Sequence, residues 1–192
     1  MPRHPIFLDL RDQPVVVIGG GEVAARKIEA LLEAGARVTV VSPNTVGRIR
    51  DWVDAGRVHL VQRRYGAGDL RGAKLAYAAT GDADANKAVR EEADREEVWL
   101  NVADEPILCD FFAPAVVRRG RLTVAISTDG TSPALAARLR EKLEQDLGPE
   151  YADVLDRLAE MRARCREQGR PLSEARDQIE RLIDRVLPPK CG

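Results

Sequence analysis

Residues 15–18 and 38–41 are unbroken runs of β-branched side chains, the pattern of strands buried on both faces. Between them the period changes. From Glu22 the apolar positions Val23, Ala24, Ile28, Leu31 and Leu32 recur at helical spacing, and Gly35 ends the segment as a helix stop. One βαβ unit is therefore predicted. The alternation continues with a helix over 44–55 (Ile49, Trp52 and Val53 inward) and a strand over 58–62. A strand over 75–79 ending at Thr80, a helix over 84–96 and a strand over 98–102 follow. In that helix Ala85, Ala88, Val89 and Ala93 are predicted to face inward. Ahead of these elements, Ile6, Leu8 and Leu10 alternate in "PIFLDLRDQP" and predict a short edge segment. The first 113 residues thus read as an α/β fold, a Rossmann-like doubly wound parallel sheet.

Beyond residue 113 the pattern shifts. Two short apolar runs joined by Arg118-Arg119-Gly120-Arg121 predict a hairpin. Ser132 then stands as an N-cap with Pro133 at the first helical position. After Gly148-Pro149, two amphipathic helices are marked by Val154, Leu155, Leu158, Met161 and Cys165, and by Ile179, Leu182, Ile183 and Val186, with Pro188-Pro189 as the stop. The expected organisation is a nucleotide-binding domain over 1–113, a small α+β region over 114–147 and a helical region over 148–192. The middle region is too small for its own core and is expected to pack on the first domain or on a second subunit.

The turn between the first strand and the first helix carries the strongest chemical signal. Gly19, Gly21 and Ala24 fit G-x-G-x-x-A. Gly19 permits a tight turn, Gly21 lets a pyrophosphate approach the backbone, and Ala24 lets the helix pack close to the sheet. Gly19, Gly20, Gly21, Glu22, Val23 and Ala24 are accordingly the candidate cofactor contacts. At the end of the second strand the usual acidic residue is absent, and Ser42-Pro43-Asn44 stands there instead. Ser42 or Asn44 could bond a ribose, and these residues do not decide between NAD and NADP.

Two other stretches end at the same edge of such a sheet: Thr80-Gly81-Asp82 and Asn101-Val102-Ala103-Asp104. Asp104 reads equally as a general base beside a nicotinamide or as an ordinary turn aspartate. Thr131 and Ser132, before a helix start, suit a carboxylate or phosphate and equally suit plain capping. Arg118, Arg119, Arg121, Arg138, Arg140 and Lys142 could attract a polyanion, although a solvated face is the commoner meaning of such charges. Cys109 has no neighbouring histidine to activate it and reads as a buried small residue; His59 reads as structural and His4 as exposed.

Composition narrows the classes. A net charge of -1 and a pI near 6.2 argue against a nucleic-acid partner. No apolar signal region or long uncharged run is present, which argues against secretion and membrane spanning and for a cytoplasmic protein. Three dispersed cysteines and two histidines suit reduced thiols, and no metal site is expected.

"PIFLDL", "VVVIGGGEVAARK", "AAT", "NVADEP", "LCDFFAPA" and "ISTDGTSPALAARLREKLE" stand in the order seen in the precorrin-2 dehydrogenase family, which the chain resembles over about 5–145. The resemblance implies NAD-dependent oxidation of precorrin-2 to sirohydrochlorin in siroheme biosynthesis, with ferrous iron a co-substrate in bifunctional members. It implies that Asp104 is the essential aspartate and that Gly19, Gly21 and Ala24 hold the NAD pyrophosphate. Thr80, Asn101, Ser42 and Pro43 join the cofactor site, with NAD preferred over NADP. Thr128 keeps a hydroxyl where some members carry serine, and with Thr131 and Ser132 it is a candidate contact for the polycarboxylate substrate. The same resemblance implies a homodimer joined through about 113–147. The length leaves no room for a methyltransferase domain, so precorrin-2 is expected from a separate protein. The competing readings are an NAD(H)-sensing regulatory module and a dehydrogenase for another polycarboxylate.

Overall fold

A strand apolar on both faces needs cover on both, and β1 (Pro14–Ile18) lies at the centre of the sheet. The computed structural model describes residues 3–187. β1 pairs in parallel with β2 (Arg37–Val41) on one side and β4 (Leu75–Ala78) on the other. β3 (Val58–Val61) and β5 (Trp99–Val102) complete the order β3-β2-β1-β4-β5, all parallel. Alternate residues of β1 enter different layers. Val15 and Val17 pack with Ala24, Ile28 and Leu31 of α1 (Glu22–Glu33) and with Ile49 of α2 (Gly47–Asp54). Val16 and Ile18 pack on the opposite face with Val89 and Ala93 of α3 (Ala83–Glu96). The period of two along the strand thus sorts one apolar run into two cores. The order reverses beside β1, which places a crevice beyond the carboxyl ends of β1 and β4.

Three local expectations are corrected. No strand forms between residue 3 and residue 13, and Ile6, Phe7 and Leu8 are exposed. Asp9 instead grips the Arg11 guanidinium and backbone N–H, which closes a turn where extension was expected. α2 begins at Gly47 rather than near 44, because Ser42 Oγ donates to Asn44 O and Val46 N–H to Gly20 O. Residues 42–46 therefore wrap the glycine turn before any helix starts. In α3, Ala88 is exposed and Ala85 half-buried, whereas Asn86 and Glu92 are buried. The Pro188-Pro189 stop lies outside the described residues.

The chain divides into two compact units between Ala113 and Pro114. In the second, β6 (Ala115–Arg119) and β7 (Leu122–Ile126) pair antiparallel around Gly120, whose φ of 55° favours glycine. α4 (Pro133–Asp146) packs on the hairpin, and α5 (Glu150–Glu167) contacts both β7 and α6 (Arg176–Ile183). Val117, Ala136, Val154, Met161 and Ala175 are its buried apolar residues. Arg119 closes the C-terminus of α4, donating to Leu147 O (2.7 Å) and Glu144 O (2.7 Å). Among the described residues no helix is long and apolar enough to cross a membrane.

Candidate cofactor and active site

The three glycines of the first turn do different work. Gly19 has φ 116°, and a Cβ there would lie 2.4 Å from Ala79 O. At Gly20 a Cβ would lie 2.1 Å from Asn44 O and 2.7 Å from Ser42 Oγ. Both positions demand glycine for the packing of one turn against another. Gly21, the N-cap of α1, has nothing within 4 Å of its Cβ position. That open side faces a cavity of about 890 Å³, within the range of cofactor sites. The bare backbone, the cavity and the free N–H groups of α1 together fit a pyrophosphate.

Gly19, Gly20, Gly21, Ser42, Pro43 and Thr80 all line this cavity. Glu22 is exposed, Val23 half-buried and Ala24 fully buried beneath α1, and none of the three reaches the lining. Ala24 acts through packing, as the fingerprint requires. Asn101 is also outside the lining: it is buried, and its Nδ2 donates to Phe111 O at 2.9 Å. Its amide holds the chain beyond β5 rather than facing the crevice.

The cavity has a wall that sequence reading missed. Loop 63–70 runs along it, contributing Arg64, Tyr65, Gly66 and Ala67, while α3 contributes Ala85, Ala88, Glu91 and Arg95. The loop is gathered by Glu92, which accepts from Tyr65 Oη (2.5 Å), Gly68 N–H (3.0 Å) and Leu70 N–H (2.8 Å). Burial and Glu92 together push the Tyr65 hydroxyl well above its ordinary pKa, so it remains a donor. Asp69 fixes the near end, taking both Arg63 Nη1 (2.7 Å) and Nη2 (2.6 Å) and Gly66 N–H (2.9 Å). The Arg63 bonds hold the Asp69 carboxyl below its ordinary pKa. Glu92 shares the inward stripe of Val89 and Ala93, a phase that was readable; the Glu-Glu pair at 91–92 suggests solvent instead.

Asp104 follows β5 with φ 62°, a left-handed conformation that aspartate tolerates better than most side chains. Its side chain is exposed beyond the carboxyl end of β5 and, like Asn101, is outside the cavity lining; the adjacent strand β4 leads through Ala79 to Thr80, which is in the lining. Cys109 ties the turn together. Its Sγ accepts from Val102 N–H (3.1 Å) and lies 3.2 Å from Val102 O and 3.4 Å from Glu105 O, either of which its S–H serves. Burial raises the thiol pKa, so Cys109 stays protonated in this role and is no nucleophile. Asp110, by contrast, is a structural carboxylate that accepts from Leu100 N–H (2.8 Å) and Arg90 Nη1 (2.8 Å).

Lys27 is a further residue missed from sequence. Half-buried on α1, its Nζ lies 5.7 Å from the centre of the Tyr77 ring, which packs edge-on against Phe111. Burial lowers its pKa and Arg26 adds to this, while Cys109 and Asp104 pull the other way. The Lys27 charge and Asp104 thus attract each other.

In the second unit, Thr128 and Ser132 are engaged with each other and with α4. Thr128 Oγ1 donates to Ser132 O (3.0 Å) and accepts from Ser132 N–H (3.1 Å). Ser132 Oγ accepts from Leu135 N–H (3.2 Å), the capping geometry. Thr131 is exposed. Of the basic cluster, Arg121 pairs with Asp156, Arg140 with Glu144 and Lys142 with Asp146. His4 is exposed, as is His59 on the edge strand β3.

Comparison with known proteins gives the chain its relatives. Residues 6–115 match a family described as putative NAD(P)-binding, and residues 119–146 match the central region of sirohaem biosynthesis proteins. The siroheme synthase of Methylobacillus flagellatus is 43% identical over 168 residues, 88% of this chain and 36% of that protein. The siroheme synthase of Escherichia coli O139:H28 is 40% identical over 183 residues, 95% of this chain and 40% of that protein. The chain thus spans well under half the length of these relatives. The solved structure of SirC, a precorrin-2 dehydrogenase, superposes with a TM-score of 0.82 at 31% identity, covering 95% of this chain and 90% of that one. With a putative NAD(P)-binding family matched over 6–115 and a precorrin-2 dehydrogenase matched across nearly the whole length, the chain belongs to the precorrin-2 dehydrogenase family.

Proposed function

We propose that this protein oxidises precorrin-2 to sirohydrochlorin with NAD, in siroheme biosynthesis. The observation that carries the reading is the placement of Asp104. An exposed carboxylate stands just beyond the end of β5, and the chain leaving the neighbouring strand β4 runs through Ala79 to Thr80 in the wall of the cofactor cavity. The oxidation removes one hydride and one proton. Bound NAD supplies the hydride acceptor, and the chain's own task is to hold the reactants and take the proton. The Gly19–Gly21 backbone and the α1 N-terminus bind the pyrophosphate, Ser42 and Pro43 flank the adenosine side, and loop 63–70 closes the wall. Asp104 accepts the proton as general base. Thr131 and the N-terminus of α4 suit a substrate carboxylate, with Thr128 and Ser132 shaping that turn.

A homodimer is part of this reading, supported by Leu135 and Leu139, which are exposed one turn apart on α4. Ferrous iron as a co-substrate rests on the siroheme synthase relatives. The deciding experiment is incubation with precorrin-2 and NAD while the visible spectrum is followed. Appearance of the sirohydrochlorin spectrum with matching NADH is expected. NAD binding without turnover would favour a nucleotide-sensing module, and sedimentation of a 21.1 kDa monomer at micromolar concentration would remove the dimer.

A further inference from the structure

Thr80, Asn86 and Glu105 form a chain of hydrogen bonds from the cofactor cavity to the residue after Asp104. Glu105 Oε1 accepts from Asn86 Nδ2 at 2.8 Å, and Asn86 Oδ1 accepts from Thr80 Oγ1 at 2.7 Å. Asn86 is 3% exposed, so its amide has no water to satisfy a wrong orientation. A carboxylate only accepts, which turns the Asn86 NH₂ toward Glu105 and its oxygen toward Thr80. Thr80 has one hydroxyl proton, and Asn86 takes it. The alternative acceptor, Asp82 O at 3.2 Å, is more distant, and choosing it would leave the buried Asn86 oxygen unpaired. Asp82 N–H at 3.3 Å occupies one lone pair of Thr80 Oγ1. One lone pair remains, on a residue that lines the cavity.

We propose that Glu105, acting through Asn86, fixes Thr80 as a hydrogen-bond acceptor toward the cofactor. The group seated on Thr80 is then a donor: a ribose hydroxyl or the carboxamide NH₂ of a nicotinamide, and not a phosphate oxygen. Glu105 and Asn86 are positioning residues, and the same chain couples the cofactor-side turn to the turn that presents Asp104. The inference rests on the NAD reading above but does not depend on precorrin-2 being the substrate.

The test is NAD affinity by calorimetry, without precorrin-2, for the parent, Thr80→Val, Glu105→Ala and Glu105→Gln. Thr80→Val and Glu105→Ala are each expected to weaken binding roughly 3- to 10-fold, the scale of one hydrogen bond, and to be non-additive when combined. Glu105→Gln keeps an acceptor oxygen for Asn86 and is expected to bind like the parent. Melting temperatures confirm that each variant is folded. 3-Acetylpyridine adenine dinucleotide, which lacks the carboxamide N–H, separates the two donors. If Glu105→Ala leaves its affinity unchanged, the carboxamide is seated on Thr80; if the loss persists, a ribose hydroxyl is. NAD affinity within twofold of the parent in Glu105→Ala overturns the proposal, as does a loss in Glu105→Gln equal to that in Glu105→Ala. A parent that fails to bind NAD overturns the cofactor reading and this proposal together. A parent that binds NAD but leaves precorrin-2 unchanged overturns only the substrate.

Discussion

The turn after β1 and the turn after β5 lie at the same edge of one parallel sheet, and both bend through positive φ, 116° at Gly19 and 62° at Asp104. They are built by opposite means. The first is made of bare backbone: Gly19 and Gly20 press against Ala79 and Asn44, and Gly21 leaves open space for a ligand. The second presents a side chain, and other side chains hold it: Cys109 across the turn, Glu105 beside it and Asn86 from α3. A phosphate is bound by backbone N–H groups that every residue but proline carries, so the requirement on sequence is the absence of side chains. A carboxylate offered to a reaction needs a scaffold.

The largest expected effect falls on the second turn. Asp104→Asn should lower turnover roughly 10²-fold or more while NAD affinity and melting temperature stay near the parent's. Asparagine is nearly isosteric and also tolerates φ 62°, so the turn survives and only the proposed proton acceptor is lost. Asp104→Ala should lose as much turnover and also destabilise by about 1 kcal/mol, because alanine has no local bond to offset a left-handed backbone. Near-parent turnover in Asp104→Asn would place the catalysis in substrate positioning alone.

Next come two neighbouring glycines that separate folding from binding. Gly20→Ala must push a methyl into Asn44 O, a backbone atom that cannot swing away, and should destabilise by about 1–3 kcal/mol. Gly21→Ala meets no protein atom, so the fold should hold and NAD affinity should fall. Gly21→Asp should bind more weakly still through repulsion of the pyrophosphate. Thermal melts and calorimetry on the set measure both quantities. A Gly21→Asp variant that binds NAD like the parent would break the assignment of this turn.

This contrast explains what was legible. Strands 15–18 and 38–41, the helix from Glu22 and the glycine turn were readable because their signals are contiguous and periodic. The roles of the buried polar residues were not. Ser42, Asn86, Glu92 and Asn101 each secure a turn or loop at the carboxyl edge of the sheet, through partners that only the fold brings near. Asn101 shows the limit clearly: its place at a strand end suggested a cofactor contact, yet its amide points to Phe111 O. The N-terminal alternation of Ile6, Leu8 and Leu10 failed for a related reason, since periodicity cannot see that Asp9 and Arg11 close a local turn.

A smaller effect is expected at the cavity wall. Glu92→Gln replaces an oxygen that accepts from Tyr65 and Gly68 with an NH₂ group, or else turns that group toward Leu70. Either way a buried N–H meets another donor, at a cost of about 1–3 kcal/mol. Loop 63–70 should loosen before the sheet does. Hydrogen exchange should rise at Gly68 and Leu70 with little change at Val17, and NAD affinity should fall. Uniform loss of protection would instead make Glu92 part of the global core.

The smallest effect should come from Lys27, and its sign is informative. Burial lowers its pKa in the folded protein, while the unfolded chain keeps the proton up to about the ordinary value of 10.5. Between those two values the unfolded state binds more protons, so stability rises with pH across that window. Below both, as at neutral pH, the cost of burying the charge is present in full. Lys27→Met keeps an apolar side chain of similar length at this half-buried position and removes the charge, so it should raise the melting temperature at neutral pH and flatten the alkaline rise. The same variant should lower turnover, because the cation that interacts with Asp104 is gone just as substrate and cofactor displace water from the carboxylate. Lys27→Arg should restore part of the turnover without the gain in stability. A variant more stable than the parent and slower in catalysis is the result that identifies a buried charge kept for the site. A lower melting temperature in Lys27→Met would mean that the lysine serves packing, and that the turn presenting Asp104 stands on hydrogen bonds alone.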